Sequence, residues 1–248
     1  MRKKGVLPLL EDLALRNTGV TSADFEDLLH AAFLPSLLHL SLGNESESLI
    51  YNFNCVGWPA MQALRRFASN RAYVASASSS SLPPPLLPRL RTLNLHGNRL
   101  SPFGASQLFS ALVKQRAMPA LRRLDLRNTH IGKEGLASLL KTLDRGAPPS
   151  LPPSPPSLPP PFSSSSPSPS PLAFLHHLYL SMTHAREDEL RVVKALLTKA
   201  PTILPRLRLL ALMDEGEALD REDIRCLKAI NPTILVRLHT RALVTAAV

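Results

Sequence analysis

Cysteine and aromatic residues are scarce in this chain of 248 residues, which has two Cys and 5% Phe, Trp and Tyr. The two cysteines, Cys55 and Cys226, lie far apart and exclude a disulfide scaffold. Both are expected as free thiols in a reducing, intracellular compartment. Long apolar runs are missing as well. Charges or prolines break every stretch before the roughly 18 residues of a membrane-spanning helix. The basic start, Met1-Arg2-Lys3-Lys4, meets Pro8, Glu11 and Asp12 before an apolar region of signal-peptide length forms. A cytoplasmic location without membrane insertion is the expectation. Acidic residues are in deficit, with 19 Asp+Glu against 29 Lys+Arg for a formal charge of +10. That charge permits an acidic partner without identifying one.

Hydrophobic residues make up 44% of the chain, enough to build a core. Proline is abundant, at 24 residues, and much of it falls in two tracts. Residues 147–171 are almost wholly Ser, Pro and Leu, and residues 75–87 hold Ser78 to Ser81 and Pro83 to Pro85. Such composition buries too little apolar surface to offset the entropy of ordering it, so both tracts are expected to be disordered insertions. Ser154, Ser166, Ser168 and Ser170 each precede a Pro or flank one, as proline-directed kinases require. An inert insertion explains the tracts as well, because loop closure cost grows slowly with length.

The remaining sequence repeats. Leu90, Leu93, Leu95, Asn98 and Leu100 satisfy the pattern L-x-x-L-x-L-x-x-N-x-L at every fixed position. Leu121, Leu124, Leu126, Thr129 and Ile131 follow it with two conservative changes. Further copies begin at Leu10, Leu37, Leu175 and Leu207. A proline stands two residues before the first leucine at Pro8, Pro35, Pro88, Pro119 and Pro205, a recurrence outside the search pattern. Each leucine triplet alternates at period two, as a short strand does. Helical spacing follows, as in Phe25, Leu28 and Leu29, in Leu136, Leu139, Leu140 and Leu143, and in Leu190, Val193, Leu196 and Leu197. Strand then helix at this period implies an α/β array of parallel strands with helices on the other side.

These residues, with Leu95-His-Gly-Asn98-Arg-Leu100 and the following Gly104, resemble the ribonuclease-inhibitor-like class of leucine-rich repeat proteins. The resemblance implies a solenoid, or horseshoe, with parallel strands on the concave face and helices on the convex face. It divides the chain into repeats 1–2 (8–74), an insertion (75–87), repeats 3–4 (88–146), an insertion (147–171), repeats 5–6 (172–230) and a degenerate C-terminal strand or cap (231–248). Two copies depart from the pattern. Glu45 and Glu47 replace the expected Asn and Leu in the second, whose helix arrives late, near Trp58 to Arg71, and Glu215 and Glu217 do so in the sixth. Both turns are expected to be irregular. The fold is almost silent about function, since relatives include inhibitors, innate sensors, cytoskeletal regulators and an activator of the Ran GTPase.

In such a repeat the residues between the leucines face outward. They form a basic centre of Arg91, Asn94, His96, Arg122, Arg123, Asp125, Arg127, His176, His177, Tyr179 and Arg208. The expectation is a non-catalytic protein-binding module that holds an acidic partner on this surface. Nucleic acid is disfavoured because Tyr179 is the one aromatic in the set. The alternative function is GTPase activation by a projecting arginine, Arg16 or Arg127. Both occur in the same Arg-Asn-Thr context, which favours a structural role. No phosphate-binding or nucleophile-elbow motif occurs, and His39, His96, His176 and His177 lack carboxylates at ligand spacing, so neither metal nor cofactor is expected. Arg186-Glu-Asp-Glu189 and Asp220-Arg-Glu-Asp223 read as acidic helix starts. Nothing amphipathic precedes the first copy, so the chain is expected to belong to a longer repeat protein or to pair through that copy.

Overall fold

In the computed structural model, residues 5–6, 9–44, 54–77, 85–146, 172–182, 186–214 and 221–240 are described. They form an α/β fold in which strands and helices alternate. The elements are β1 (Gly5–Val6), β2 (Asp12–Ala14), α1 (Ser22–Ala31), β3 (Ala32–Phe33), β4 (His39–Ser41), α2 (Trp58–Ala77) and β5 (Thr92–Asn94), followed by α3 (Ser101–Val113) and β6 (Arg123–Leu126). The chain continues through α4 (Gly132–Gly146), β7 (His177–Met182), α5 (Arg186–Ile203), β8 (Leu209–Asp214), α6 (Arg221–Ile230) and β9 (Leu235–Thr240). Strands β2, β4, β5, β6, β7, β8 and β9 make one sheet in chain order, every pair parallel. Each helix packs on the next along the chain, so the helices form a layer of their own.

The register equates the leucines found by spacing: Leu13, Leu40, Leu93, Leu124, Leu178, Leu210 and Val236 lie side by side. From Leu40 onward these are at most 4% exposed and share one core with the helix residues Phe109, Leu136, Leu139, Val193 and Leu197. Parallel pairing needs a crossover between strands, and the helices supply it. The expected helices after the first, fourth and fifth leucine triplets are α1, α4 and α5, and the acidic starts fall in the first turns of α5 and α6. Thr21 opens α1 with a reciprocal cap. The Thr21 N–H donates to Asp24 Oδ2 at 2.9 Å, and the Asp24 N–H donates to Thr21 Oγ1. The Thr21 N–H and then the Thr21 hydroxyl, both donating to Asp24 Oδ2, hold the Asp24 carboxyl below its usual pKa.

The positional proline has a cause in turn geometry. The amides of Leu37, Leu90, Leu121, Leu175, Leu207 and Ile234 donate to the carbonyls of Leu34, Leu87, Met118, Leu172, Leu204 and Asn231. These are four-residue turns; five have Pro35, Pro88, Pro119, Pro205 or Pro232 second, where a fixed φ suits the turn and no amide is needed, and Ala173 holds that place in the sixth. Pro232 extends the series into the C-terminal segment, whose degenerate strand is β9. Pro8 lies outside the described residues.

The second copy keeps the asparagine bonds of the repeat on a residue other than Glu45. Asn98 sets the rule: its Nδ2 donates to Leu42 O of the preceding copy and Leu95 O of its own, and its Oδ1 accepts the Val56 amide. Asn54 repeats this one copy earlier, donating to Leu15 O and Leu42 O and accepting from Val20. Asn54, not Glu45, therefore holds the asparagine position, and Val56 takes the place of Leu100. Residues 45–53, Glu45 and Glu47 among them, lie outside the described residues, and α2 begins after this stretch of the chain. Glu215 and Glu217 lie outside the described residues.

The recurring Arg-Asn-Thr also resolves. Asn17 and Asn128 adopt positive φ of 51° and 54° at the position of Gly97, whose φ is 72°. Asparagine tolerates this conformation better than most residues. A Cβ on Gly97 would also lie 2.8 Å from Asn44 Cβ. Of the first insertion, α2 extends to Ala77 while Leu86 and Leu87 are buried at 7% and 4% exposure, so the ordered structure enters both ends of 75–87. Residues 78–84 and 147–171 lie outside the described residues. No described helix is long and apolar enough to cross a membrane.

Candidate functional site

The sheet surface opposite the core carries part of the basic set. At its centre Arg123, at the start of β6, and Arg127, just past its end, approach the ring of Tyr179 on the neighbouring β7 at 4.6 and 5.1 Å, a pair of cation–π contacts. Arg127 is fixed by a two-pronged bond: Nε and Nη2 donate to the Asp125 carboxylate at 2.9 and 2.7 Å. Asp125 is 1% exposed beneath it. Alternation puts Asp125 on the outer face, but Arg127 covers it, so Asp125 positions Arg127 and does not meet a partner. Asn94, paired with Asp125 in the ladder, accepts the His96 amide at 2.9 Å and donates to Ser41 Oγ. His96 Nε2 lies 3.1 Å from Asn128 Nδ2. A depression of about 430 Å³ continues the face toward the first copy, lined by residues that include Asp12, Arg16, His39, Ser41, Asn94 and Arg123.

Arg91, Arg122, His176 and Arg208 form a separate row. Each stands at the N-terminal end of its strand, and the amides run as a ladder, Arg122 donating to Arg91 O, His176 to Arg122 O and Arg208 to His176 O. Beside this row lies a hollow of about 360 Å³ lined by Leu38, Pro88, Arg89, Arg91, Pro119, Ala120, Arg122 and Phe174. It shares no residue with the depression on the face. The eleven predicted residues thus divide between two surfaces. Arg89, Arg206 and Phe174 were not among them. All three are the residue just before a first leucine, the third position of the turn; Arg89 and Arg206 follow its proline, and Phe174 follows Ala173 in the one copy without it.

The centre of the basic set carries unpaired positive charge. No carboxylate among the described residues pairs with Arg91, Arg122, Arg123 or Arg208. Partial burial, then Arg208 and Arg122, hold the His176 pKa below the ordinary histidine value, and burial, then Arg123 and Arg208, do the same at His177. Both imidazoles are therefore neutral at neutral pH. The basic centre favours negative charge, while Asp12, 4.0 Å from His39, lines the depression nearer the first copy.

The two arginines proposed for GTPase activation are both engaged. Arg127 is tied to Asp125, and Arg16 donates to Ser41 Oγ at 3.0 Å. Among the described residues, no three His, Cys, Asp or Glu side chains converge as a metal site would require. Cys55 and Cys226 are free thiols. At the first copy Leu10, Leu13, Leu15, Val20 and Leu28 are only partly buried, unlike their counterparts further along, and a mainly apolar hollow of about 280 Å³ lies among Leu15, Val20, Phe25, Leu28 and Leu42. No protein-family model and no curated protein matches this chain.

Proposed function

We propose that this chain is a leucine-rich repeat solenoid of the ribonuclease-inhibitor-like class, and that it is a non-catalytic module binding an acidic protein on its sheet face. The repeated leucine register, the asparagine bonds from copy to copy and the single layer of helices support the repeat reading. The observation that carries the binding reading is the Arg123–Tyr179–Arg127 cluster. Two guanidinium groups and an amphipathic ring are held in fixed orientation on an exposed sheet, Arg127 by a buried carboxylate used for nothing else. Rigid arginine and tyrosine side chains lose little entropy on binding and dominate interface energetics. Arginine forks also fit carboxylates in two-pronged geometry. A cytoplasmic setting fits two free thiols.

The test starts from proximity labelling to identify partners. Each purified partner is then titrated with wild type and with Arg123→Glu/Tyr179→Ser, both on the sheet face. Loss of binding in the double variant supports the reading, and partners that bind both alike refute it. GTP hydrolysis by a Ran-type GTPase, measured with and without the chain, addresses the alternative, and the engagement of Arg16 and Arg127 predicts no acceleration.

A further inference from the structure

The proline turns do more than end each helix connection. Two of them, with the proline-free turn Leu172–Leu175, bring their third residues, Arg89, Ala120 and Phe174, into one row across three successive copies, parallel to the row of Arg91, Arg122 and His176. Ala120 is the small member of its row. Where it stands between Arg89 and Phe174 the surface sinks into the hollow of about 360 Å³, within the roughly 300–1,000 Å³ of ligand clefts. The floor and walls are apolar, made by Leu38, Pro88, Pro119, Ala120 and the Phe174 ring. Phe174 is 39% exposed, and the Arg206 guanidinium lies over its ring at 4.7 Å. The rim is cationic, and no carboxylate lines the hollow among the described residues.

We propose that this groove is a second docking site, distinct from the sheet face, which takes an acidic peptide segment: one apolar side chain seats over Ala120 between Arg89 and Phe174, and flanking carboxylates pair with Arg91 and Arg122. The chemistry follows from the lining. An apolar floor alone would accept any hydrophobic side chain, and an arginine cluster alone any anion. Their combination selects an apolar residue set among carboxylates, because desolvated guanidinium groups need partners of opposite charge. A nucleic acid fits poorly, since Phe174 is the one ring lining the groove and a strand of bases needs repeated stacking. The site shares with the proposed function only the sign of its partner's charge, so either can fail without the other.

Fluorescence anisotropy with the intact chain tests it. The probe is a labelled peptide, acetyl-Glu-Glu-Asp-Phe-Glu-Glu-amide, compared with the same peptide carrying Ser for Phe and with a labelled oligouridine. Wild type is expected to bind the Phe peptide about tenfold more tightly than the Ser peptide. Ala120→Trp, which fills the groove from an exposed turn, and Arg122→Gln are each expected to weaken the Phe peptide about tenfold or more with the thermal midpoint unchanged. Tyr179→Ser on the face leaves that affinity as it was. The proposal is overturned if the Ser peptide binds as tightly, if Ala120→Trp binds like wild type, if the loss follows Tyr179→Ser instead, or if oligouridine binds and the peptide does not.

Discussion

Replacing Asn54 with Ala is expected to destabilise the chain by about 3 kcal/mol, whereas Glu45→Ala, at the position the repeat spacing assigns to asparagine, changes stability by less than about 0.5 kcal/mol. The magnitude follows from four hydrogen bonds. Asn54 Oδ1 accepts the amides of Thr18 and Val20 at 3.0 and 2.9 Å, and its Nδ2 donates to Leu15 O and Leu42 O. Truncation at a residue 3% exposed leaves the Thr18 and Val20 amides without this acceptor and removes one of two donors from each carbonyl, Leu15 O keeping the Thr18 hydroxyl and Leu42 O keeping Asn98 Nδ2. Each such bond contributes about 1 kcal/mol net, and the part-buried Thr18 amide regains some of that from water, which brings the sum to about 3 kcal/mol. With a urea dependence near 2–3 kcal/mol per molar, the midpoint moves down by about 1–1.5 M. Asn98→Ala, which breaks three of the equivalent bonds one copy along at a fully buried residue, serves as the internal standard and is expected to cost a similar amount. Urea unfolding followed by circular dichroism reads all three variants. The reasoning fails if Asn54→Ala stays within about 0.5 kcal/mol of wild type while Asn98→Ala does not, or if Glu45→Ala is the destabilising change.

Other outcomes follow from the same geometry. Asp125→Ala leaves the half-covered Arg127 guanidinium without its carboxylate and is expected to cost about 2–3 kcal/mol, below the full value for a deeply buried pair, as read by thermal unfolding. A loss under about 0.5 kcal/mol would show that the pair is idle. Because His176 and His177 have folded pKa values below the unfolded value of 6.5, their contribution to stability is complete above pH 6.5 and is lost as pH falls through the folded values. Histidine-to-glutamine changes at both positions are expected to flatten the acid side of the stability curve near pH 6. Binding of an acidic partner raises those pKa values, so affinity is expected to increase from pH 7.5 to 5.5 with proton uptake, which titration calorimetry in two buffers detects. Pairing through the first copy predicts self-association that rises with concentration and is reduced by Leu28→Lys; sedimentation showing a monomer at every concentration contradicts it.

What the sequence makes legible is whatever repeats at fixed spacing. Leucine triplets announce the strands and their order because each must fill the same core position, and the proline recurrence marks a real turn because only the second turn position tolerates a residue without an amide. Asn54 is hidden because an insertion moves it nine residues from Glu45 to Asn54 in number while leaving its place in space unchanged. The burial of Asp125 is hidden because alternation gives the face a side chain points to, not what folds over it. Arg127 does so through a local contact two residues away, the same offset by which Asn94 accepts the His96 amide. Splitting the basic set into a face and an edge needs the turn, because the second residue of each triplet leaves the helix connection while the third already lies in the ladder. Phe174 and Arg206 were overlooked because they belong to that turn and not to the strand.

The claim that matters most is that the Arg123–Tyr179–Arg127 cluster meets an acidic partner. Its most direct measurement is calorimetric titration of an identified partner against wild type and Arg123→Glu, at low and at physiological ionic strength. Arg123 is exposed and bonded to no carboxylate among the described residues, so its reversal is expected to leave the fold intact. The account predicts an affinity loss of at least about tenfold, equivalent to 1.4 kcal/mol and larger at low salt. Equal affinity for both proteins, at either ionic strength, would contradict it.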